Sequence, residues 1–198
     1  VHIRAQQAQV HWLVGDEEAS AAALAEAQRC ADRIVWPDAL VELAVVKADL
    51  ARWRGDLTRA RQHVADARAV LGAGSEVEVY VGWVTHDLLG YLADDLAEAR
   101  GHRRAALQTV AALEDGALLA RVLVGVADLA LRQDQPEQAA RLLAASVAVR
   151  GLRDRSRPDT ARIEQAVRRR LGDTGFAEAT RQGEQADWRE LVAVTLDA

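Results

Sequence analysis

Small residues recur along this chain at a nearly constant interval. Ser20, Ala60, Ala99 and Ala139 stand 40, 39 and 40 residues apart, and each is followed seven positions later by another: Ala27, Ala67, Ala106 and Ser146. Seven residues make two helical turns, so each pair shares one helix face, where a neighbouring helix can approach closely. A turn signal precedes each pair: Gly15-Asp16, Gly55-Asp56, Asp94-Asp95 and Asp134-Gln135. The Asp of each turn is placed to cap the helix that follows, accepting from its free N–H groups. An earlier small residue marks the first helix of three units, at Ala8, Ala48 and Ala127; the third unit has Asp87 there. The pattern predicts an all-α chain, a superhelix of about four helical hairpins.

The predicted units are 1–35, 36–72, 75–115 and 116–152, followed by C-terminal capping helices over 153–198 of the same domain. Pro37 suits the first turn of a helix, as does Pro136. Gly72-Ala73-Gly74-Ser75 reads as a linker, and Arg150 to Arg157 as a loop ending at Pro158. A helix is predicted over Asp159 to about Leu171, with one or two short helices after it. Glu76 to Val81 alternates polar and apolar, as a strand would. The longer stripe Val77, Tyr80, Val81, Val84, Leu88, Tyr91 and Leu92 has helical spacing, and helix is the reading adopted.

Composition narrows the class. Half the residues are hydrophobic but only 4% are aromatic, and Ala and Leu, both strong helix formers, supply much of the apolar mass. The net charge of −5 argues against a nucleic-acid-binding role for the domain as a whole, because phosphate recognition needs a basic footprint. Lys47 is the only Lys; the preference for Arg suits a GC-rich, actinobacterial genome. A single cysteine, Cys30, precludes an internal disulfide and fits a reducing cytoplasm. No membrane span is expected. The chain starts at Val1 and contains no Met, and it reads as a piece of a longer protein.

Catalytic chemistry has little support. No GxxxxGK[ST] loop, HExxH or CxxC occurs, so no cofactor or metal is expected. His86 beside Asp87 reads as the polar edge of a helix, and Cys30 as a small core residue. Trp12, Trp36, Trp53, Trp83 and Trp188 read mainly as packing between hairpins. A basic run of Arg150, Arg153, Arg155, Arg157, Arg162, Arg168, Arg169 and Arg170 outnumbers its acidic neighbours Asp154, Asp159 and Glu164. It reads either as a docking patch, with Arg153, Arg155, Arg157, Arg168, Arg169 and Arg170 as contacts, or as a solvated loop and helix end. No aromatic interleaves it, so base stacking is not expected.

In a solenoid of hairpins, the first helix of each unit lines the concave face. Matching the units puts Gln9, Asp49, Leu88 and Asp128 in one row and Glu42 and Arg121 in another. Arg52 and Arg132 fall near the carboxyl ends of their helices. The polar character of Asp49 and Asp128 predicts a groove rather than a packed seam. The candidate partner-binding residues are therefore Gln9, Glu42, Asp49, Arg52, Arg121, Asp128 and Arg132.

The Gly-Asp turns and paired small residues resemble tetratricopeptide repeats, whose usual period is about 34. The last 80 or so residues carry a sharper likeness. Ala139-Ala140-Arg141-Leu142-Leu143, Val149-Arg150-Gly151, Arg157-Pro158-Asp159 and Leu171-Gly172-Asp173 are followed by Phe176, Ala179 and Gly183. This order resembles the carboxy-terminal region of large actinobacterial transcriptional regulators. Those are the AfsR-type members of the Streptomyces antibiotic regulatory protein family and the similar ATP-binding LuxR-type regulators. The chain departs from their pattern at Gly175 and Thr180. The resemblance implies a non-catalytic regulatory module that contacts a protein or another domain of its own chain. A scaffold or oligomerisation module, or a small-molecule sensor, are the alternatives.

Overall fold

The computed structural model describes residues 1–33, 36–70, 76–154 and 156–197, with 76–80 described by backbone only. Among these residues the chain is helical and contains no strand. The helices are α1 (His2–Leu13), α2 (Glu17–Ala31), α3 (Pro37–Trp53), α4 (Leu57–Ala69), α5 (Glu76–Leu92), α6 (Leu96–Leu113), α7 (Gly116–Arg132), α8 (Pro136–Arg150), α9 (Pro158–Gln185) and α10 (Trp188–Asp197). The segment that alternates over Glu76 to Val81 is the start of α5, in agreement with the longer helical stripe. The Gly72–Ser75 linker lies outside the described residues.

The recurrent turns do local work. Asp16, Asp56 and Asp95 each accept from the amide three residues on, at Ala19, Arg59 and Glu98. Gly15 and Gly55 just before the first two caps have φ of 83°, the left-handed region open to glycine. The fourth turn departs from the expectation that its Asp would cap. Asp134 takes the left-handed position instead, at φ 62°, and Gln135 at the cap makes no side-chain capping bond. Asp tolerates that conformation better than most residues, and Pro136 supplies a first helical residue that needs no capped amide.

The chain divides into two compact units, Val1–Leu92 and Ala93–Ala198. The boundary falls inside the third predicted repeat, so α5 closes the first unit and α6 opens the second.

In the first unit, α1 pairs with α2 and α3 with α4, and α5 packs on α3 and α4. The small residues set the approach of these helices. Ala8, Ser20, Ala27, Ala48, Ala60 and Ala67 have no exposed surface. The Ser20 hydroxyl donates to the Ala8 carbonyl at 2.8 Å, so its burial leaves no bond unmade. One cluster joins Ala5, Ala8, Ala27 and Ala31 of the first hairpin to Leu43, Val46 and Leu50 of α3. Another joins Ala48, Ala51, Ala60 and Val64 to Leu88 and Leu92 of α5.

In the second unit, α7 is buried along most of its length and packs between α6, α8 and α9. The guanidinium of the fully buried Arg103, on α6, lies against the bare Cα of Gly125. Phe176, Ala179 and Gly183 are core positions facing inward from α9. Gly183 sits against the backbone of Arg141 on α8. Within α9, Gly172 (φ 70°, ψ 172°) kinks the helix, matching the predicted stop near Leu171. Polar bonds fasten α10: Gln138 Nε2 donates to the Leu191 carbonyl at 2.6 Å, and an Arg104 guanidinium N–H donates to that of Leu196 at 2.5 Å.

Candidate functional site

The expected groove residues fall into place differently from the sequence reading. Asp49 has no exposed surface and is bonded to Arg52 at 3.0 Å. The Arg52 guanidinium lies 4.2 Å from the Tyr91 ring centre and 5.9 Å from that of Trp53. Trp53 in turn stacks on Trp12, with centres 5.1 Å apart. Asp49 and Arg52 are thus embedded in an aromatic seam, not set along an open groove. Glu42 pairs with His2, and Gln9 is half-buried.

The second unit repeats that outcome. Asp128 is buried and accepts from Arg162 at 2.5 Å, while Arg162 also lies 3.6 Å from the buried Asp159. Arg132 donates to the Ala93 carbonyl at 2.8 Å, and Arg121 is half-buried. A buried carboxylate needs a cation and hydrogen bonds beside it, and Asp128 finds Arg162 on α9. The polar row read as a groove is, at Asp49 and Asp128, a packed and ion-paired seam.

The basic run is largely neutralised. Arg153 pairs with Glu164, and Arg150 with Asp154 at 2.7 Å. Arg168 reaches Glu164 at 3.0 Å and Asp173 at 2.7 Å, with its guanidinium 4.0 Å from the Phe176 ring centre. Arg170 bonds Asp134 at 3.0 Å and the Leu131 carbonyl at 3.1 Å, near the carboxyl end of α7. Arg157 is half-buried, Arg169 is exposed, and Arg155 lies outside the described residues. Burial pushes the Asp154 carboxyl up. Hydrogen bonds from the Ser156 hydroxyl and amide, with the charges of Arg150 and Arg157, outweigh that and hold it below its ordinary value. These residues fasten the loop to α9 rather than forming a free positive face.

Arg153 and Arg157 line a groove of about 350 Å³ together with the carboxylates Asp154 and Glu164. The residues around a second groove were not candidates from the sequence. That groove, of about 420 Å³, opens between α2, α3 and α4. Leu24, Leu50 and Ala51 supply its apolar lining; Lys47, Arg54, Arg59, Gln62 and His63 supply its polar one, with Asp56 the one carboxylate among the lining residues. Lys47 is held by a hydrogen bond to Gln28 on α2. Arg59 lies 3.4 Å from Asp56, and His63 lies 3.4 Å from Asp66. A signal for this site was present. Lys47 on α3 and Arg54 at its C-cap are two turns apart on one face, and Arg59, Gln62 and His63 share a face of α4. What the sequence did not show is that the two faces meet.

Trp83 is buried, as expected of a packing residue, whereas Trp36 is exposed. Cys30 is half-buried with its thiol 3.8 Å from a Glu26 carboxylate oxygen, so it is not the core residue expected. Among the described residues no group of three or more His, Cys, Asp or Glu could hold a metal ion, and no helix is long and apolar enough to cross a membrane. No protein-family model, curated protein or solved structure matches this chain.

Proposed function

We propose that this chain is a non-catalytic, protein-binding module and that the groove between α2, α3 and α4 holds an acidic segment of its partner. One observation carries the reading. In a chain of net charge −5, Lys47, Arg54, Arg59 and His63 converge on one groove whose floor is Leu24, Leu50 and Ala51. An apolar floor supplies contact area, and a basic rim selects carboxylates and speeds encounter. The resemblance of the last 80 or so residues to AfsR-type and LuxR-type regulators supports a cytoplasmic regulatory setting. There the partner is another protein or another domain of the same polypeptide, and binding would hold the regulator in one state.

The test is fluorescence anisotropy with a labelled peptide of alternating Glu and Leu, against a Lys and Leu peptide of equal length. The acidic peptide binds, and added salt weakens it. Arg54→Glu with Arg59→Glu, both at exposed positions, weakens it at least about tenfold, or roughly 1.4 kcal/mol. Equal binding by native and doubly substituted protein, with helicity unchanged, would remove the groove from the reading.

A further inference from the structure

The first helix carries an apolar face that stands in solvent. Ile3 is 70% exposed, Val10 58% and Val14 73%. Their spacing of seven and four residues puts them on one side of α1 and its last turn.

The chain's own period says what such a face meets. Forty residues after Ile3 and Val10 come Leu43 and Leu50 of α3, which are 2% and 1% exposed. They are buried by Ala5, Ala8, Ala27 and Ala31 of the preceding hairpin. A further period on, the equivalent of Val10 is Leu89 of α5, which packs against Ala48, Ala51, Ala60 and Val64 of α3 and α4. Each time, this face of a first helix docks onto the small-residue surface of the hairpin before it. Between its two apolar residues α3 carries Val46, and α1 carries Gln6, so the α1 face is a somewhat more polar version of the same surface.

Terminal helices of a stacked array are normally polar on the outside. In the first unit, α1 and its C-cap depart from that rule with three exposed large apolar residues; α10, the last helix of the second unit, exposes one, Val194. We propose that the α1 face docks a further two-helix hairpin, one that presents Ala or Ser where the first hairpin has Ala5, Ala8, Ala27 and Ala31. The surface is separate from the basic groove, and its test does not depend on that site.

The full chain is extended at its N-terminus by a second copy of residues 1–40, which keeps the repeat in register, and unfolded by urea and by heat. The added hairpin is expected to dock, raising the urea m-value and lifting Tm by about 3 °C or more. Ile3→Glu with Val10→Glu in the original copy removes the gain. The same pair of substitutions in the unextended chain leaves Tm unchanged, since both side chains are exposed there. An extension that changes neither m nor Tm, or a pair of substitutions that leaves the gain intact, overturns the proposal. Light scattering on the unextended chain gives the remaining outcome. A dimer abolished by the same substitutions would make a second copy the occupant and likewise overturn it.

Discussion

Asp154 shows how one side chain in this molecule can be titrated for its role. Its carboxylate is held ionised by Ser156, Arg150 and Arg157 against the opposing effect of burial. A group held below its ordinary value stabilises the fold above that value and loses the contribution as pH falls through its folded-state value. Asp154→Asn therefore lowers Tm at neutral pH. The gap to the native protein narrows as pH drops below about 3.8, the ordinary value. Thermal melts of both proteins from pH 7 to pH 3 check this, and a gap that stays constant would contradict it. At this scale the sequence was legible where chemistry is local. The Asp caps at residues 16, 56 and 95 depend on amides three positions away. Asp49 and Asp128 were misread because polarity alone suggests exposure. What decides their burial is a partner: Arg52 one turn along in one case, Arg162 on another helix in the other.

At the scale of elements, spacing of small residues was the strongest signal, because close helix packing forbids bulk at fixed positions. Ser20, Ala60, Ala99 and Ala139 all prove fully buried. The same logic makes α9 sensitive at Gly183, where an added methyl group would fall on the Arg141 backbone. Backbone cannot move aside as a flexible side chain can, so Gly183→Ala must push α9 off α8. Such overpacking typically costs about 1–3 kcal/mol, and urea denaturation measures it. An unchanged midpoint would mean that the helices part without loss. The basic groove was harder to foresee for a different reason. Its cations sit on two helices and its floor on α2 and α3, so only tertiary packing assembles it.

For the whole molecule, charge is the property that the sequence exposes best. A net charge of −5, with most of the Arg run paired to carboxylates, leaves little attraction for a polyanion. A gel shift with duplex DNA at about 1 µM protein and about 150 mM salt is expected to show no retarded band. Retardation there would mean that the groove cations or Arg169 outweigh the acidic surface. The division into two units was not legible. It falls between α5 and α6, within one repeat of the 40-residue period, and periodicity carries no information about where a core ends.

The Trp12–Trp53 pair joins the ends of α1 and α3 by ring stacking at 5.1 Å and 28°. Two indoles so close and inclined to one another couple their electronic transitions, and coupled transitions give a paired positive and negative band in circular dichroism. The protein thus contains its own optical gauge of whether the first hairpin is seated on the second. Trp12→Phe should erase the paired band while leaving the helical signal in place, and conditions that detach α1 should erase it before the remaining helices melt.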